Sequence, residues 1–111
     1  MEVRLEALRY LATLKVADDA VQARVLGSLT ALHERERLAA VRAVTAFRSD
    51  PKARTDCLLP LIDDVDPDVS LEVIKSLEPA IDDLRVKKAL RSLFRHPSRR
   101  VKAAARSALG R

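Results

Sequence analysis

The chain has 111 residues, of which 48% are hydrophobic and 33% charged, and its formal net charge at pH 7 is +5. The chain has only two Gly, which argues against tight hairpins and glycine-rich phosphate loops. Aromatic residues are also scarce, with one Tyr, two Phe and no Trp, and this composition is typical of an all-helical (all-α) protein with an aliphatic core. A single cysteine excludes a disulfide within the chain.

Apolar residues at helical spacing predict seven helices. In the odd-numbered helices they occupy the first, third, fifth, sixth and ninth positions, which form one broad face. The even-numbered helices align every 32 residues, as at Val25, Cys57 and Ala89. In chain order the seven segments are VRLEALRYL (3–11), DDAVQARVLGSLTAL (18–32), AAVRAVTAF (39–47), DPKARTDCLLPLI (50–62), VSLEVIKSL (69–77), DDLRVKKALRSLF (82–94) and VKAAARSAL (101–109).

The two interleaved series predict a repeat made of paired helices. The odd-numbered helices recur at intervals of 36, 30 and 32 residues, close to the spacing of the even-numbered series. A period of this length indicates helix–turn–helix units that stack into an elongated array. We therefore expect one domain over residues 1–111, with repeat units at approximately 1–16, 18–48, 50–78 and 82–111.

Prolines and small polar residues mark the predicted helix boundaries. Asp50 and Asp66 each precede a proline, so an N-cap acid stands before a residue whose missing N–H costs nothing at the first helical position. Pro79 is expected to end its helix, and Pro60 to kink the apolar helix that contains it. The His-Pro-Ser sequence at 96–98 is expected to start the last helix.

The alternating aspartates of DVDPD (64–68) raise the question of a metal site. A calcium loop of the EF-hand type that starts at Asp64 needs glycine at position 69 and glutamate at position 75, where the chain has Val69 and Lys75. We therefore predict that Asp66 caps a helix and that its acidic neighbours stabilise the positive end of that helix. No metal and no other cofactor is predicted.

Two stretches carry a family pattern. LLPLIDDVDPDVSLEVIKSL (58–77) combines a helix, an acidic Asp-Pro turn and a second helix that opens with valine, and LRSLFRHPSRRVKAAARSALG (90–110) has the same plan. The chain thus resembles the HEAT family, including the shorter bacterial HEAT-like repeats, over nearly its whole length. The resemblance implies a right-handed α-α superhelix (a HEAT-like solenoid) of about seven helices in roughly three and a half repeats. Around 33–40 the sequence HERERLAA departs from the pattern, since it replaces the Asp-Pro turn.

The helix register predicts the core and the end of the stack. Arg106 falls at the position that matches Ile74, so we expect a polar last helix with Arg106 in solvent. Phe94 fits the core pattern of its own helix. The residues expected to be buried are Leu5, Leu8, Leu11, Val44, Phe47, Leu58, Leu61, Val73, Ile74, Leu77, Leu90 and Leu93.

No arrangement of residues indicates catalysis. His33 and His96 are 63 residues apart, and neither has a second His or Cys at ligand spacing. The chain has no glycine-rich phosphate loop and no His-Glu-x-x-His motif. We therefore predict that the protein is not an enzyme, and no small-molecule substrate is indicated.

The favoured function is protein binding by a scaffold or adaptor. The stacked second helices of a solenoid form an extended concave surface, and their positions outside the core here mix both charge signs, which suits a protein partner. Arg9, Tyr10 and Arg42 are the expected anchors, because Arg and Tyr often dominate binding energy at interfaces. The expected binding face is Arg4, Glu6, Arg9, Tyr10, Arg42, Glu72, Lys75 and Lys102.

The alternative function is binding of nucleic-acid phosphates through the basic segment 85–111. Residues 82–111 hold ten Lys or Arg against two Asp, whereas the residues before them carry a small net negative charge. Such a segment would bind phosphates with a steep salt dependence. The expected basic patch is Arg85, Lys88, Arg91, Arg95, Arg99 and Arg100.

The sequence also carries an expectation of cellular location. No stretch reaches the roughly 18 apolar residues of a membrane-spanning helix, and the charged, periodic N-terminus is unlike a secretory signal. We therefore expect a soluble cytoplasmic protein with no membrane partner. Arg outnumbers Lys fifteen to six, and together with abundant Ala this favours a bacterial source.

Overall fold

A computed structural model describes residues 19–110 of the chain. In this range the protein consists of α-helices, short 3-10 turns and loops, with no strand. The predicted helix at 3–11 lies outside the described residues. The six helices are α1 (Asp19–Ser28), α2 (Glu34–Phe47), α3 (Pro51–Leu58), α4 (Pro67–Leu77), α5 (Leu84–Ser92) and α6 (Arg99–Leu109).

The helices form three consecutive pairs in two layers. The second helices of the pairs pack directly on one another, α2 on α4 and α4 on α6. The first helices α1, α3 and α5 pack mainly on second helices and on the 3-10 turns. The period of the sequence therefore corresponds to one helix pair, as predicted.

Side-chain caps start the helices at the predicted places, with two additions. Asp50 accepts a hydrogen bond from the N–H of Ala53 at 2.9 Å, and Ser98 Oγ accepts one from Val101 at 3.3 Å. One is Asp83, whose Oδ1 accepts from the N–H of Arg85 at 2.8 Å at the start of α5. The other is His33, whose Nδ1 accepts from the N–H of Arg35 at 3.2 Å. Because of the His33 cap, α2 begins at Glu34, five residues before the predicted segment 39–47.

Prolines change the geometry of two helices. The α-helix α3 ends at Leu58, and a 3-10 turn over Leu59–Leu61 follows, with Pro60 at its centre. A proline has no N–H for the carbonyl four residues earlier, so the α-helical ladder cannot continue through it. Pro79 likewise lies in a 3-10 turn, Glu78–Ala80, directly after α4. The predicted kink is thus a change from α to 3-10 winding.

The predicted core is largely confirmed. The buried members are Val44, Leu58, Val73, Ile74, Leu77, Leu90 and Leu93. Leu5, Leu8 and Leu11 lie outside the described residues. Small side chains that were not predicted, Ala39, Ala40 and Ala43 of α2 and Ala105 and Ala108 of α6, are also buried.

Phe47 and Leu61 pack against the core but are only half-buried, so the prediction that they are buried was wrong. Leu61 lies in a 3-10 turn, whose three residues per turn rotate it away from the face that an α-helix would have buried. Ile62 takes the buried position instead. Phe47 is the last residue of α2, and the guanidinium of Arg48 lies over its ring at 5.8 Å.

Phe94 was wrongly assigned to the core. Its side chain is 36% exposed, because the helix passes into a 3-10 turn at Leu93–Arg95 and Leu93 occupies the interior position. The guanidinium of Arg106 lies 5.5 Å from the centre of the Phe94 ring. Arg106 itself is exposed, which confirms the polar character predicted for the end of the stack.

Candidate partner-binding faces

Polar contacts tie equivalent positions of α2 and α4 together. Arg42 Nε donates to Glu72 Oε1 at 2.8 Å, and the hydroxyls of Thr45 and Ser76 are 2.7 Å apart. The partners of each pair stand about one repeat apart in sequence, so these contacts run across the stack from one second helix to the next.

A groove between these helices gathers the predicted binding residues of α2 and α4. Its volume is about 250 Å³, and both Arg42 and Lys75 are exposed at it. Lys75 makes no ion pair with any of residues 19–110. We call this feature the α2/α4 groove; its lining residues are Arg42, Thr45, Arg54, Glu72, Lys75 and Ser76.

Arg54 is the member of the groove that the sequence analysis missed. It stands on α3, and its guanidinium donates to the carbonyls of Arg48 at 2.9 Å, Thr45 at 3.1 Å and Ser76 at 3.3 Å. These carbonyls lie at the ends of α2 and α4, where the helix dipole favours a cation. Arg54 therefore fixes the separation of the two helices that form the groove. Nothing in the local sequence distinguishes it from a solvated arginine.

The opposite end of α2 is anchored by a second arginine. The Arg37 guanidinium makes a bidentate pair with Asp64, at 2.8 Å from Nε to Oδ2 and 2.9 Å from Nη2 to Oδ1. It also donates to the carbonyls of Ala31 and Leu32. The hydrogen bond with Asp64 raises the pKa of Arg37 above its usual value. This arginine is therefore a structural link between repeats.

Asp64 and Asp66 are accounted for by protein contacts. Asp64 Oδ1 accepts from the backbone N–H of Asp66 in addition to Arg37, and Asp66 caps α4 by accepting from Asp68 N at 2.8 Å. Between residues 19 and 110, no group of His, Cys, Asp or Glu side chains is arranged to hold a metal ion.

Two members of the predicted basic patch are engaged with carboxylates. Arg85 pairs with Asp56 at 2.8 Å and with Asp83 at 3.0 Å, and Arg100 pairs with Asp68 at 3.3 Å. Hydrogen bonds with Asp83 and Asp56 raise the pKa of Arg85, and those from Arg85 lower the pKa of Asp83.

The six basic residues stand on α5, on the 3-10 turn that follows it and on α6. Lys88 and Arg91 lie on α5 in the layer of first helices, and Arg95 follows in the 3-10 turn. Arg99 and Arg100 begin α6 in the layer of second helices. The predicted patch thus draws its residues from elements of both layers.

The paired helices and their repeat agree with a comparison against protein families. A family model described as HEAT repeats matches residues 24–110. The chain belongs to the HEAT-repeat family. HEAT repeats generally mediate protein–protein interaction and are typically non-catalytic scaffolds. Comparison with curated proteins and with solved structures gave no significant match.

This match confirms the resemblance to the HEAT family that the sequence predicted. It also covers residues 33–40, where the sequence departs from the family pattern. Lys102, which belongs to the predicted face, is half-buried on α6, one repeat beyond the α2/α4 groove. Arg4, Glu6, Arg9 and Tyr10 lie outside the described residues. None of the described HEAT helices is long and apolar enough to span a bilayer.

Proposed function

We propose that this HEAT-repeat chain is a non-catalytic scaffold or adaptor that binds a protein partner on the face of its second helices. The α2/α4 groove carries the proposal, since it is a depression with exposed cations at its rim and paired hydroxyls within it. A protein surface with complementary carboxylates and polar groups fits such a lining.

The packing of the layers supports binding on this side. The second helices contact one another along the stack, whereas the first helices meet mainly second helices and turns. An array curves toward the layer whose helices are more closely spaced, so the second helices would line its concave side. We propose that this array is a right-handed superhelix and that the protein acts in the bacterial cytoplasm.

Charge at the α2/α4 groove is partly satisfied within the protein. Glu72 forms an ion pair with Arg42, so a partner that binds Arg42 has to displace Glu72 or contact both residues. Lys75 has no such competitor in residues 19–110. We therefore assign Lys75 as the main electrostatic contact and the Arg42–Glu72 pair as the element that sets orientation.

The test uses site-specific photo-crosslinking in cells. A photoreactive lysine analogue that keeps the ammonium group replaces Lys75 in one variant and Lys52, an exposed residue of α3 in the other layer, in a matched control. A discrete protein adduct from position 75 and none from position 52 is expected. The captured protein is then purified, and its affinity for the unmodified chain is measured.

A charge swap separates binding from folding. Arg42→Glu combined with Glu72→Arg keeps an ion pair across α2 and α4 but reverses its direction, so the thermal midpoint should stay near that of the wild type. Affinity for the captured protein should fall at least tenfold, the loss expected from about 1.4 kcal/mol. Adducts from position 52 alone, or unchanged affinity in the swapped variant, would refute binding in the groove.

A further inference from the structure

The exposed side of α5 presents a row of cations without acidic partners. Lys88, Arg91 and Arg95 are all exposed, and none of them pairs with a carboxylate in the described part of the chain. Lys88 and Arg91 stand three residues apart, so they lie on the same side of α5, and Arg95 follows in the 3-10 turn Leu93–Arg95 directly after the helix. Arg85, one turn earlier, is engaged by Asp56 and Asp83 and does not extend the row.

An exposed aromatic ring adjoins this row. Phe94 lies between Arg91 and Arg95 in sequence, and its side chain is 36% exposed. The guanidinium of Arg106 lies over the ring at 5.5 Å, within the range of a cation–π contact. An exposed aromatic side chain flanked by arginines is the combination on which proteins stack unpaired bases.

We propose that this surface, the α5 ridge (Lys88, Arg91, Phe94, Arg95 and Arg106), binds single-stranded nucleic acid. The cations would contact successive phosphates, and Phe94 would stack on a base. Guanidinium groups suit this role because their fork of N–H donors matches phosphate oxygens. The ridge lies mainly on the first-helix layer, away from the α2/α4 groove, so the two proposals stand independently.

The ring decides between three anionic partners. A duplex keeps its bases stacked on each other and offers only phosphates. An acidic peptide offers carboxylates to the arginines but has no base to place on Phe94. Single strands can use both the cations and the ring, and stacking contributes a sequence-tolerant gain for each base.

The experiment measures fluorescence anisotropy of a labelled oligothymidylate of about 12 nucleotides, a usual site size for such surfaces. A duplex and an oligoglutamate of similar charge serve as the other probes. With three phosphate contacts on a single strand, affinity should fall about tenfold between about 50 and about 150 mM salt. The wild-type chain should bind the oligothymidylate most tightly.

Matched variants locate the site. Arg91→Ala with Arg95→Ala should weaken binding of the single strand at least tenfold. Arg24→Ala with Lys52→Ala removes the same charge from exposed positions on α1 and α3 and should change it less than threefold. Phe94→Leu should weaken the single strand about fivefold or more and leave the duplex unchanged, since only a base stacks on the ring.

Three results would overturn the proposal. Equal losses of affinity in the two double variants would show that binding depends on net charge and not on the α5 ridge. Equal affinity for oligoglutamate, together with no effect of Phe94→Leu, would assign the ridge to acidic protein segments. Absence of binding at the lower salt concentration would leave the ridge without this function. Far-UV circular dichroism and the thermal midpoint of each variant confirm that the fold is retained.

Discussion

Two arginine–aspartate pairs of the same protein differ in their exposure to water. The side chains of Arg37 and Asp64 are only 12% and 6% exposed, whereas those of Arg100 and Asp68 are 65% and 61% exposed. A charge withdrawn from water depends on its partner, because solvent cannot replace the lost contact. An exposed pair is solvated whether or not it forms.

Removal of the two aspartates should therefore have unequal effects. Asp64→Ala leaves the Arg37 guanidinium without its carboxylate and should lower the free energy of unfolding by about 3 kcal/mol. Asp68→Ala should lower it by less than about 1 kcal/mol. Urea denaturation followed by circular dichroism measures both. Similar losses in the two variants would show that Arg37 is solvated in solution.

Because the pKa of Asp83 is lowered, the stability of the fold should depend on pH in the acidic range. A carboxyl whose pKa is lower in the folded state stabilises the fold above its unfolded value, and the gain disappears as pH falls through the folded value. Asp83→Asn keeps a good N-cap for α5 but removes the charge that Arg85 holds. The thermal midpoint of the variant should lie below that of the wild type at neutral pH.

The two midpoints should then converge below about pH 4, the ordinary range of an aspartate pKa. Differential scanning calorimetry from neutral to acidic pH tests this. A difference in midpoint that is the same throughout would mean that the charge of Asp83 contributes nothing to stability.

At the scale of the helices, the sequence predicts which helices form and how they pair better than it predicts where each helix begins and ends. Apolar spacing suffices for the helix pairs because burial of one face dominates helix stability. The start of α2 escaped prediction, since His33 caps it without the acid or proline that marks α3 and α4. Leu61 and Phe94 were misplaced because 3-10 winding changes the direction of a side chain after the α-helix ends.

The positions of the candidate binding residues could be predicted only where a single helix determines which side chains share a face. Glu72 and Lys75 stand at positions of α4 outside its apolar face, and the structure places both at the α2/α4 groove. Arg85 and Arg100 were predicted to be available, yet each pairs with an aspartate about one repeat earlier in the chain. Such pairing depends on how neighbouring repeats align, which helical periodicity does not specify.

The buried face of α4 makes a direct test of the helix register. Ile74 is 4% exposed, and truncation of a buried isoleucine to alanine removes contacts and leaves a cavity. Ile74→Ala should lower the free energy of unfolding by about 2–5 kcal/mol. The fully exposed Leu32 provides the control, and Leu32→Ala should change stability by less than about 0.5 kcal/mol. An unchanged denaturation midpoint for Ile74→Ala would contradict the packing of α4.

At the scale of the described molecule, α4 is the central helix. It packs on α2, α3 and α6, whereas α6 packs on α4, α5 and the 3-10 turn before it. In repeat proteins each unit is stabilised by its neighbours, so a unit with neighbours on both sides opens least often.

Amide hydrogen exchange should report this arrangement. Backbone amides in the middle of α4 should exchange most slowly among the described helices, and those of α6 should exchange faster through local opening. Mass spectrometry of peptic fragments under native conditions resolves the two helices. Exchange from α6 as slow as from α4 would indicate that the described helices unfold as one unit.

Arginines of both neighbouring repeats form ion pairs with carboxylates of the central repeat, which consists of α3 and α4. The pairs are Arg37–Asp64, Arg42–Glu72, Arg85–Asp56 and Arg100–Asp68. HEAT units are similar in shape, but these units are not interchangeable building blocks. A duplicated central unit inserted beside the original would bring a second Glu72 to the place where Arg42 now stands, and two carboxylates would face each other across the new junction. Insertion or shuffling of units in this chain would therefore separate paired charges and bring like charges together, so electrostatics as well as packing favours the present order of its repeats.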